Sequence, residues 1–159
     1  YEVIGTDLSN EVLERARAGV YTQFEVQRGL SIQRLLANFE KDDSRWKIKP
    51  ELRSMVQFRV FNLLDSPAVL GTFDIVYCRN VLIYFDAATK GDVLRRIADQ
   101  LAPDGAVLLG AAETVVGLTE TFKPHPSRRG VYLPNGQKAS PSIVPGFPAT
   151  AALTSLRAG

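Results

Sequence analysis

The feature that most constrains the fold is the segment Phe73–Cys78, which is almost continuously apolar and is followed directly by Arg79 and Asn80. A strand buried on one face alternates apolar and polar side chains, whereas a strand covered on both faces reads as an unbroken apolar run. Strands of the second kind belong mainly to parallel sheets that carry helices on each side. The segment therefore predicts a central strand of an α/β fold that ends in two polar side chains.

The rest of the chain alternates strands and helices in the way that such a sheet requires. Three helices are predicted to begin after a capping side chain, at Ser9, Ser31 and Asp86. The other predicted strands are residues 3–7, 58–61 and 106–111, and a terminal hairpin is predicted at residues 122 and 130–133. We therefore expect an α/β fold whose open sheet is mostly parallel, with an antiparallel strand near the C-terminus.

Polar residues stand at or beyond the ends of four predicted strands. They are Asp7, Asn62-Leu63, Cys78-Arg79-Asn80 and Glu113. Because the carboxyl ends of parallel strands meet at one edge of a sheet, and ligands of such sheets bind outside that edge, these residues predict a nucleotide-like ligand there. No glycine-rich phosphate loop accompanies them in this chain.

Composition excludes several classes of function. The 159 residues carry a formal net charge of +2 from 19 basic and 17 acidic side chains, which is too balanced for a dedicated nucleic-acid-binding protein, since such proteins usually carry a basic stripe. A single cysteine and a single histidine, Cys78 and His125, exclude an internal disulfide framework and a metal site built from several cysteines or two histidines. No apolar run reaches the roughly 18 to 20 residues of a membrane span, and the N-terminus lacks a signal-peptide pattern.

Each candidate residue also has a purely structural interpretation. Asp7 could bind ribose hydroxyls or help to begin the following helix. Arg79 and Asn80 could hold a ligand or order a loop. Tyr84, amid aliphatic residues, is more typical of a core than of a catalytic site, and Cys78 has no histidine nearby in the sequence, which favours a small buried hydrophobe over a nucleophile.

Several groups of residues resemble the chemotaxis receptor methyltransferases. The most specific is Cys78-Arg79-Asn80-Val81-Leu82-Ile83-Tyr84-Phe85, within residues 73–86. The others are Gly5-Thr6-Asp7-Leu8-Ser9, residues 12–21, Phe61-Asn62-Leu63-Leu64-Asp65, residues 110–117 with Glu113, and Gly130-Val131-Tyr132. Together they cover residues 2–133 in one uninterrupted order, and the chain is identified as a member of that family.

The resemblance implies a Rossmann-like, S-adenosylmethionine-dependent protein-glutamate O-methyltransferase that acts on the cytoplasmic helical domain of chemoreceptors and releases S-adenosylhomocysteine. It implies a cytoplasmic protein that neither binds nucleic acid nor inserts into a membrane. It also implies roles for individual residues: ribose contact for Asp7, the adenine frame for Asn62 and Leu63, the cofactor pocket for Cys78, Arg79 and Asn80, and catalysis for Tyr84 with Arg79.

The resemblance also predicts the domain organisation. Residues 1–133 are expected to form a partial methyltransferase domain with a small β insert at residues 40–59, and residues 134–159 to form a flexible tail rich in proline, alanine and serine. The family's first strand and its glycine-rich cofactor loop are absent from this chain, which begins within a predicted strand, so we expect it to be cut from a longer protein.

Some family members bind a receptor C-terminal pentapeptide through a glycine-containing hairpin in the insert. Residues 39–49 contain no glycine, so a turn with positive φ has to use Asp42, Asp43 or Ser44. We expect strands there, with Lys47 and Lys49 protecting the edge, but no tight pentapeptide binding. The alternatives to a methyltransferase are a cofactor-binding signalling module without transfer activity and an inactive fragment.

Overall fold

A computed structural model describes residues 1–136 and the backbone of residues 152–156. The described strands are β1 (Glu2–Asp7), β2 (Val20–Thr22), β3 (Phe39–Asp42), β4 (Arg45–Ile48), β5 (Val56–Val60), β6 (Phe73–Cys78), β7 (Leu101–Leu109), β8 (Phe122–Pro124), β9 (Val131–Pro134) and β10 (Ala152–Leu156). The described helices are α1 (Asn10–Ala18), α2 (Gln23–Gln27), α3 (Ile32–Asn38), α4 (Pro50–Arg53) and α5 (Ala87–Gln100).

Seven of these strands form the main sheet, in the order β5-β1-β10-β6-β7-β9-β8. The strands from β5 to β7 are parallel, whereas β9 is antiparallel to both β7 and β8. This arrangement confirms the predicted α/β class with a mostly parallel sheet and an antiparallel strand near its C-terminal end. It also brings the carboxyl ends of β5, β1, β6 and β7 to a common edge.

Two of the predicted capping residues, Ser9 and Asp86, begin the two longest helices, α1 and α5. The Ser9 Oγ accepts a hydrogen bond from the Val12 N–H at 3.3 Å, and the Asp86 Oδ1 accepts one from the Thr89 N–H at 2.8 Å. Gly19 ends α1 with φ at +64°, a conformation that a residue with a Cβ adopts at a cost. These local signals define where α1 begins and ends. Because α1 begins three residues after Asp7, they also restrict the backbone at the end of β1.

The core of the main sheet packs α5 against the strands around β6. The α5 side chains Val93, Leu94 and Ile97 are buried. They belong to one apolar cluster with residues from β6, β7, β9 and the segment after β6. Two members of that cluster, Val81 and Leu82, lie immediately after the strand end, so the chain beyond Arg79 is anchored in the core.

A second, three-stranded antiparallel sheet has the order β2-β4-β3. Its hairpin turn places Asp43 at φ +52°, which confirms that an aspartate takes the place of a glycine there. The Trp46 side chain is buried, and its indole N–H donates to the Gln23 Oε1 at 2.7 Å. Because β4 is the central strand, the expectation that Lys47 protects an edge is wrong.

The boundaries of this small sheet differ from the predicted insert at residues 40–59. Residues Val20–Thr22 join it as β2, paired with β4. Residues Val56–Val60 belong instead to the main sheet as β5. There β5 pairs with β1, and Phe58 lies opposite Gly5. Both differences come from pairings between strands that are distant in sequence, which local patterns do not encode.

The structure contradicts the predicted tail at one place. Most of residues 134–159 lie outside the described residues, but Ala152–Leu156 form β10, parallel to β1 on one side and to β6 on the other. The physical reason is that two parallel strands without a strand between them expose two rows of unpaired backbone groups. Five residues with a low content of large apolar groups are sufficient to pair both rows.

Thr154→Pro is expected to destabilise the chain. Thr154 lies opposite Ile4 on one side and Val76 on the other, so its N–H faces a neighbouring strand, and proline has no N–H. Loss of that bond in the middle of a sheet costs about 1 to 3 kcal/mol of the free energy of unfolding. Urea unfolding of Thr154→Pro and of Thr154→Val, which keeps the N–H, measures the effect; equal midpoints would show that β10 adds no stability.

Within residues 1–136 and 152–156, we find no helix with the length and apolar character needed to cross a membrane.

Candidate active site

The predicted polar residues lie along the same edge of the main sheet. In the strand register, Asp7 is opposite Val60, and Cys78 is opposite Leu109. β10 separates β1 from β6, because Leu156 pairs with both Thr6 and Cys78. Two strand spacings put the ends of β1 and β6 roughly 10 Å apart. The edge therefore offers two groups of side chains, one at Asp7 and one at Arg79.

Asp7 is buried at the end of β1, and one of its carboxylate oxygens has no hydrogen-bond partner among the described residues. Its Oδ1 accepts a hydrogen bond from the Ser9 N–H at 2.8 Å, so Asp7 does help to begin α1. Its Oδ2 and the Thr6 Oγ1 are buried and have no hydrogen-bond partner among the described residues. A cavity of about 500 Å³ adjoins them, lined also by Gly5, Arg15 and Tyr21. Because a buried acceptor without a partner is unfavourable, Oδ2 and Thr6 Oγ1 indicate a place for ligand hydroxyl groups.

Asn62 and Leu63 follow β5. They do not line the cavity at Asp7, and they do not line a second cavity that Arg79 borders. The Asn62 Oδ1 accepts a hydrogen bond from the Leu64 N–H at 3.0 Å, so its side chain closes a turn. Leu63 is partly buried against the main core. The structure therefore places both residues at the expected edge without bringing their side chains to Asp7.

Cys78 is fully buried at the end of β6. Burial raises the pKa of its thiol to about 12, and the negative charge of Glu113 adds to the shift. Since the thiolate is the nucleophilic form, a thiol with this pKa is inert at neutral pH. The interpretation of Cys78 as a small buried hydrophobe is confirmed, and Cys78 lines neither the cavity at Asp7 nor the one at Arg79.

Arg79, Asn80 and Tyr84 are presented by the segment that follows β6. Asn80 has φ at +59°, an unusual value for a residue other than glycine. Arg79 and Arg129 line a second cavity of about 500 Å³. Tyr84 is 73% exposed, so the interpretation that places Tyr84 in the core is wrong: the phenol of Tyr84 faces solvent while the neighbouring Val81 and Leu82 are buried.

Glu113 has the most extensive set of hydrogen bonds at this edge. Its buried carboxylate accepts four backbone N–H bonds, from Asn80, Val81, Leu82 and Gly110, at 2.7 to 2.9 Å. The sequence placed Glu113 among the polar strand ends but gave it no role. A glycine and then an acidic residue after a buried strand is the only local signal, and it does not reveal that three of the four donors come from residues more than thirty positions earlier.

Comparison with known proteins identifies the family. Residues 1–131 match the family model described as "CheR methyltransferase, SAM binding domain", where SAM is S-adenosylmethionine. The chain is 49% identical over 123 residues to the chemotaxis protein methyltransferase Cher2 of Pseudomonas putida, covering 77% of this chain and 45% of that protein. It is 36% identical over 127 residues to the chemotaxis protein methyltransferase of Escherichia coli, covering 77% of this chain and 44% of that protein.

The chain therefore has the S-adenosylmethionine-binding fold of a methyltransferase. It belongs to the CheR methyltransferase family, as the resemblance implied. It spans just under half the length of these curated relatives.

Proposed function

We propose that the protein to which this chain belongs transfers a methyl group from S-adenosylmethionine to glutamate side chains of chemotaxis receptors. The observation that supports this most strongly is the family match over residues 1–131, together with relatives that are named as chemotaxis methyltransferases. No observation favours the alternatives of a binding module without transfer activity or an inactive fragment.

The residues at Asp7 fit the cofactor. A ribose carries adjacent hydroxyl groups, and the Asp7 Oδ2 and Thr6 Oγ1 are buried polar atoms without partners among the described residues. Asp7 would accept hydrogen bonds from the ribose, as acidic residues at this position of Rossmann-like folds do. Asn62 and Leu63, which follow the neighbouring strand, would frame the adenine with their backbone atoms.

The residues after β6 would hold the reacting end of the cofactor. The backbone of Cys78 and Asn80 and the side chain of Arg79 would line the pocket, since the segment is exposed at the sheet edge and anchored in the core by Leu82. Tyr84 would lie near the transferred methyl group. Its exposure supports this role, because a phenol that contributes little to packing is free to orient a ligand.

The chemistry suits these residue types. When bound, S-adenosylmethionine would supply a sulfonium methyl group: a carboxylate oxygen would form the new bond to the methyl carbon as the carbon–sulfur bond breaks, and neutral S-adenosylhomocysteine would leave. A glutamate side chain with a pKa near 4.3 is already an anion at neutral pH, so the site needs no strong general base. Arg79 and Tyr84 then have to orient the carboxylate and exclude misaligned approaches, and positioning of this kind supplies much of the rate of a displacement reaction.

Chemoreceptors are the proposed partner, and we expect recognition without tight binding of the receptor C-terminal pentapeptide. The open edges of the small sheet are β2 and β3, and β3 is a four-residue strand carrying Glu40, Lys41 and Asp42. Charged side chains on a short edge strand oppose the addition of another strand. The cytoplasmic helical domain that contains the methylated glutamates would provide the main contact.

Titration of Trp46 fluorescence with such a pentapeptide is expected to give no saturable change at micromolar concentrations. Trp46 lies on the central strand, opposite Tyr21 and Lys41, and reports on either edge. Saturable binding at micromolar concentrations would contradict the expectation.

The experiment that tests the function is incubation of the full-length protein with radiolabelled S-adenosylmethionine and membranes containing chemoreceptors. A methyltransferase labels the receptors. A binding module of the same fold retains the cofactor in equilibrium binding and leaves the receptors unlabelled.

A further inference from the structure

The Glu113 carboxylate joins the segments that follow two neighbouring strands. Its Oε1 accepts from the N–H groups of Val81 and Leu82 at 2.9 and 2.8 Å. Its Oε2 accepts from those of Asn80 and Gly110, each at 2.7 Å. The first three donors follow β6 and the fourth follows β7. One side chain therefore fixes three consecutive peptide groups of the segment that carries Arg79 and Tyr84.

Backbone dipoles satisfy the charge of this buried carboxylate. Glu113 is 9% exposed and forms no ion pair within the described part of the chain. A buried carboxylate is stabilised when several N–H groups converge on it. A glutamine cannot replace it, because one of its two terminal atoms is an amide nitrogen that donates and would face two N–H donors.

The surroundings of Glu113 restrict its backbone and its carboxylate. A Cβ added to Gly110 would lie 2.6 Å from the Glu113 Oε2 and 2.5 Å from the Asn80 Oδ1. The Glu113 N–H donates to the Gly110 carbonyl oxygen at 3.0 Å, and the Tyr132 hydroxyl donates to the Glu113 carbonyl oxygen at 3.5 Å. These two hydrogen bonds fix the backbone of Glu113, and its carboxylate is therefore oriented toward residues 80–82.

The position of Asn80 depends on this arrangement. Asn80 has φ at +59°, a left-handed conformation that is unfavourable for most residues other than glycine. Its N–H bond to Glu113 helps to hold the backbone there. The chain changes direction at Asn80. Arg79 therefore lies at the end of β6, whereas Tyr84 lies beyond the turn, after the buried Leu82.

We propose that Glu113 is a positioning residue for the methyl transfer: it fixes the backbone of residues 80–82 so that Arg79 and Tyr84 are already oriented before cofactor and substrate bind. This inference rests on the proposed function of the same site. Glu113 lines the same cavity as Arg79, but four backbone N–H groups already occupy its carboxylate oxygens, so its effect on the reaction passes through the segment that it holds.

The test is Glu113→Gln in the full-length protein, with Glu120→Gln as the matched control. Glu120 lies in the same connection between β7 and β8, is exposed, and its side chain has no partner among the described residues. We expect Glu113→Gln to lower kcat for receptor methylation about tenfold or more, because small displacements of reacting groups have effects of that size, and to weaken S-adenosylhomocysteine binding measured by calorimetry. The control is expected to stay within twofold of the wild type.

Four measurements separate positioning from a purely stabilising role: the unfolding midpoint, kcat, cofactor affinity and amide hydrogen exchange. A stabilising role alone would lower the unfolding midpoint and leave kcat and cofactor affinity of the folded variant unchanged within twofold, and that result would overturn the proposal. Faster amide hydrogen exchange at Asn80, Val81 and Leu82 in the Glu113 variant, but not in the Glu120 variant, would support it.

If the wild-type protein labels no receptor, the methyltransferase function fails, while calorimetry and hydrogen exchange still decide whether Glu113 orients the segment. If Glu113→Gln does not fold, Gly110→Ala displaces the same carboxylate together with the Asn80 side chain, because the added Cβ would lie 2.6 Å from the Glu113 Oε2 and 2.5 Å from the Asn80 Oδ1. Cofactor affinity and kcat equal to the wild type in folded Gly110→Ala would then overturn the proposal.

Discussion

Replacing Asp7 by alanine is expected to weaken the binding of S-adenosylmethionine by the full-length protein tenfold to hundredfold. The Asp7 Oδ2 is the buried acceptor at the carboxyl end of β1 that has no partner among the described residues. Hydrogen bonds to a charged group contribute about 1.5 to 3 kcal/mol, which corresponds to that range of affinity. Calorimetric titration with S-adenosylhomocysteine, which has the same ribose, measures the change without turnover.

Two variants isolate the ligand contact from the effect of Asp7 on α1. Ser9→Ala removes the Oγ bond to the Val12 N–H and costs about 1 kcal/mol of stability, but leaves Asp7 in place, so its cofactor affinity should match the wild type. Asp7→Asn keeps an oxygen acceptor and should fall between the two. Unchanged affinity in Asp7→Ala would remove Asp7 from the binding site.

Tyr84→Phe is expected to lower kcat about tenfold or more while cofactor affinity changes little. The phenol is largely exposed, so loss of its hydroxyl group should not alter packing, and we place it at the reacting end of the site. Misalignment of a reacting group accounts for an effect of this size. Steady-state methylation kinetics and calorimetry on the same preparation give the two quantities separately.

Tyr77→Phe is the matched control for this variant. Tyr77 lies one residue before the end of β6 and is partly buried, and its hydroxyl group has no assigned role. It should keep the kcat of the wild type. Collapse of cofactor binding in Tyr84→Phe with a normal kcat at saturation would show that Tyr84 acts on the cofactor and not on the transfer step.

Local signals were sufficient to predict most of the main sheet. The apolar run Phe73–Cys78 is a strand with helices nearby, and Ser9 and Asp86 begin helices because each side chain reaches an N–H three residues ahead. Asp43 takes the left-handed turn position that the absence of glycine required. These outcomes depend on contacts within a few residues, which sequence patterns encode directly.

Features built from distant segments could not be predicted in the same way. Residues 152–156 have the composition of a tail, and only the unpaired rows of β1 and β6 give them a place in the sheet. Phe58 lies opposite Gly5 because strand order, not local pattern, brings them together.

The candidate site shows the same division. The sequence located Asp7, Arg79 and Glu113 at the carboxyl edge, because strand ends can be read from polarity. It did not reveal the unpartnered Thr6 hydroxyl group, the turn that occupies the Asn62 side chain, or the convergence of four N–H groups on Glu113. Each of these depends on where backbone atoms of separate segments meet.

The most direct test of the central claim is to locate the transferred methyl group. Full-length protein is incubated with S-adenosylmethionine and chemoreceptor, and receptor peptides are analysed by mass spectrometry. We predict a methyl ester on glutamate side chains that is removed by mild alkali, and a reduced amount of it with Tyr84→Phe. Cofactor binding with no such ester, or a methyl group that resists alkali on another residue type, would contradict the assignment of this protein as a glutamate methyltransferase.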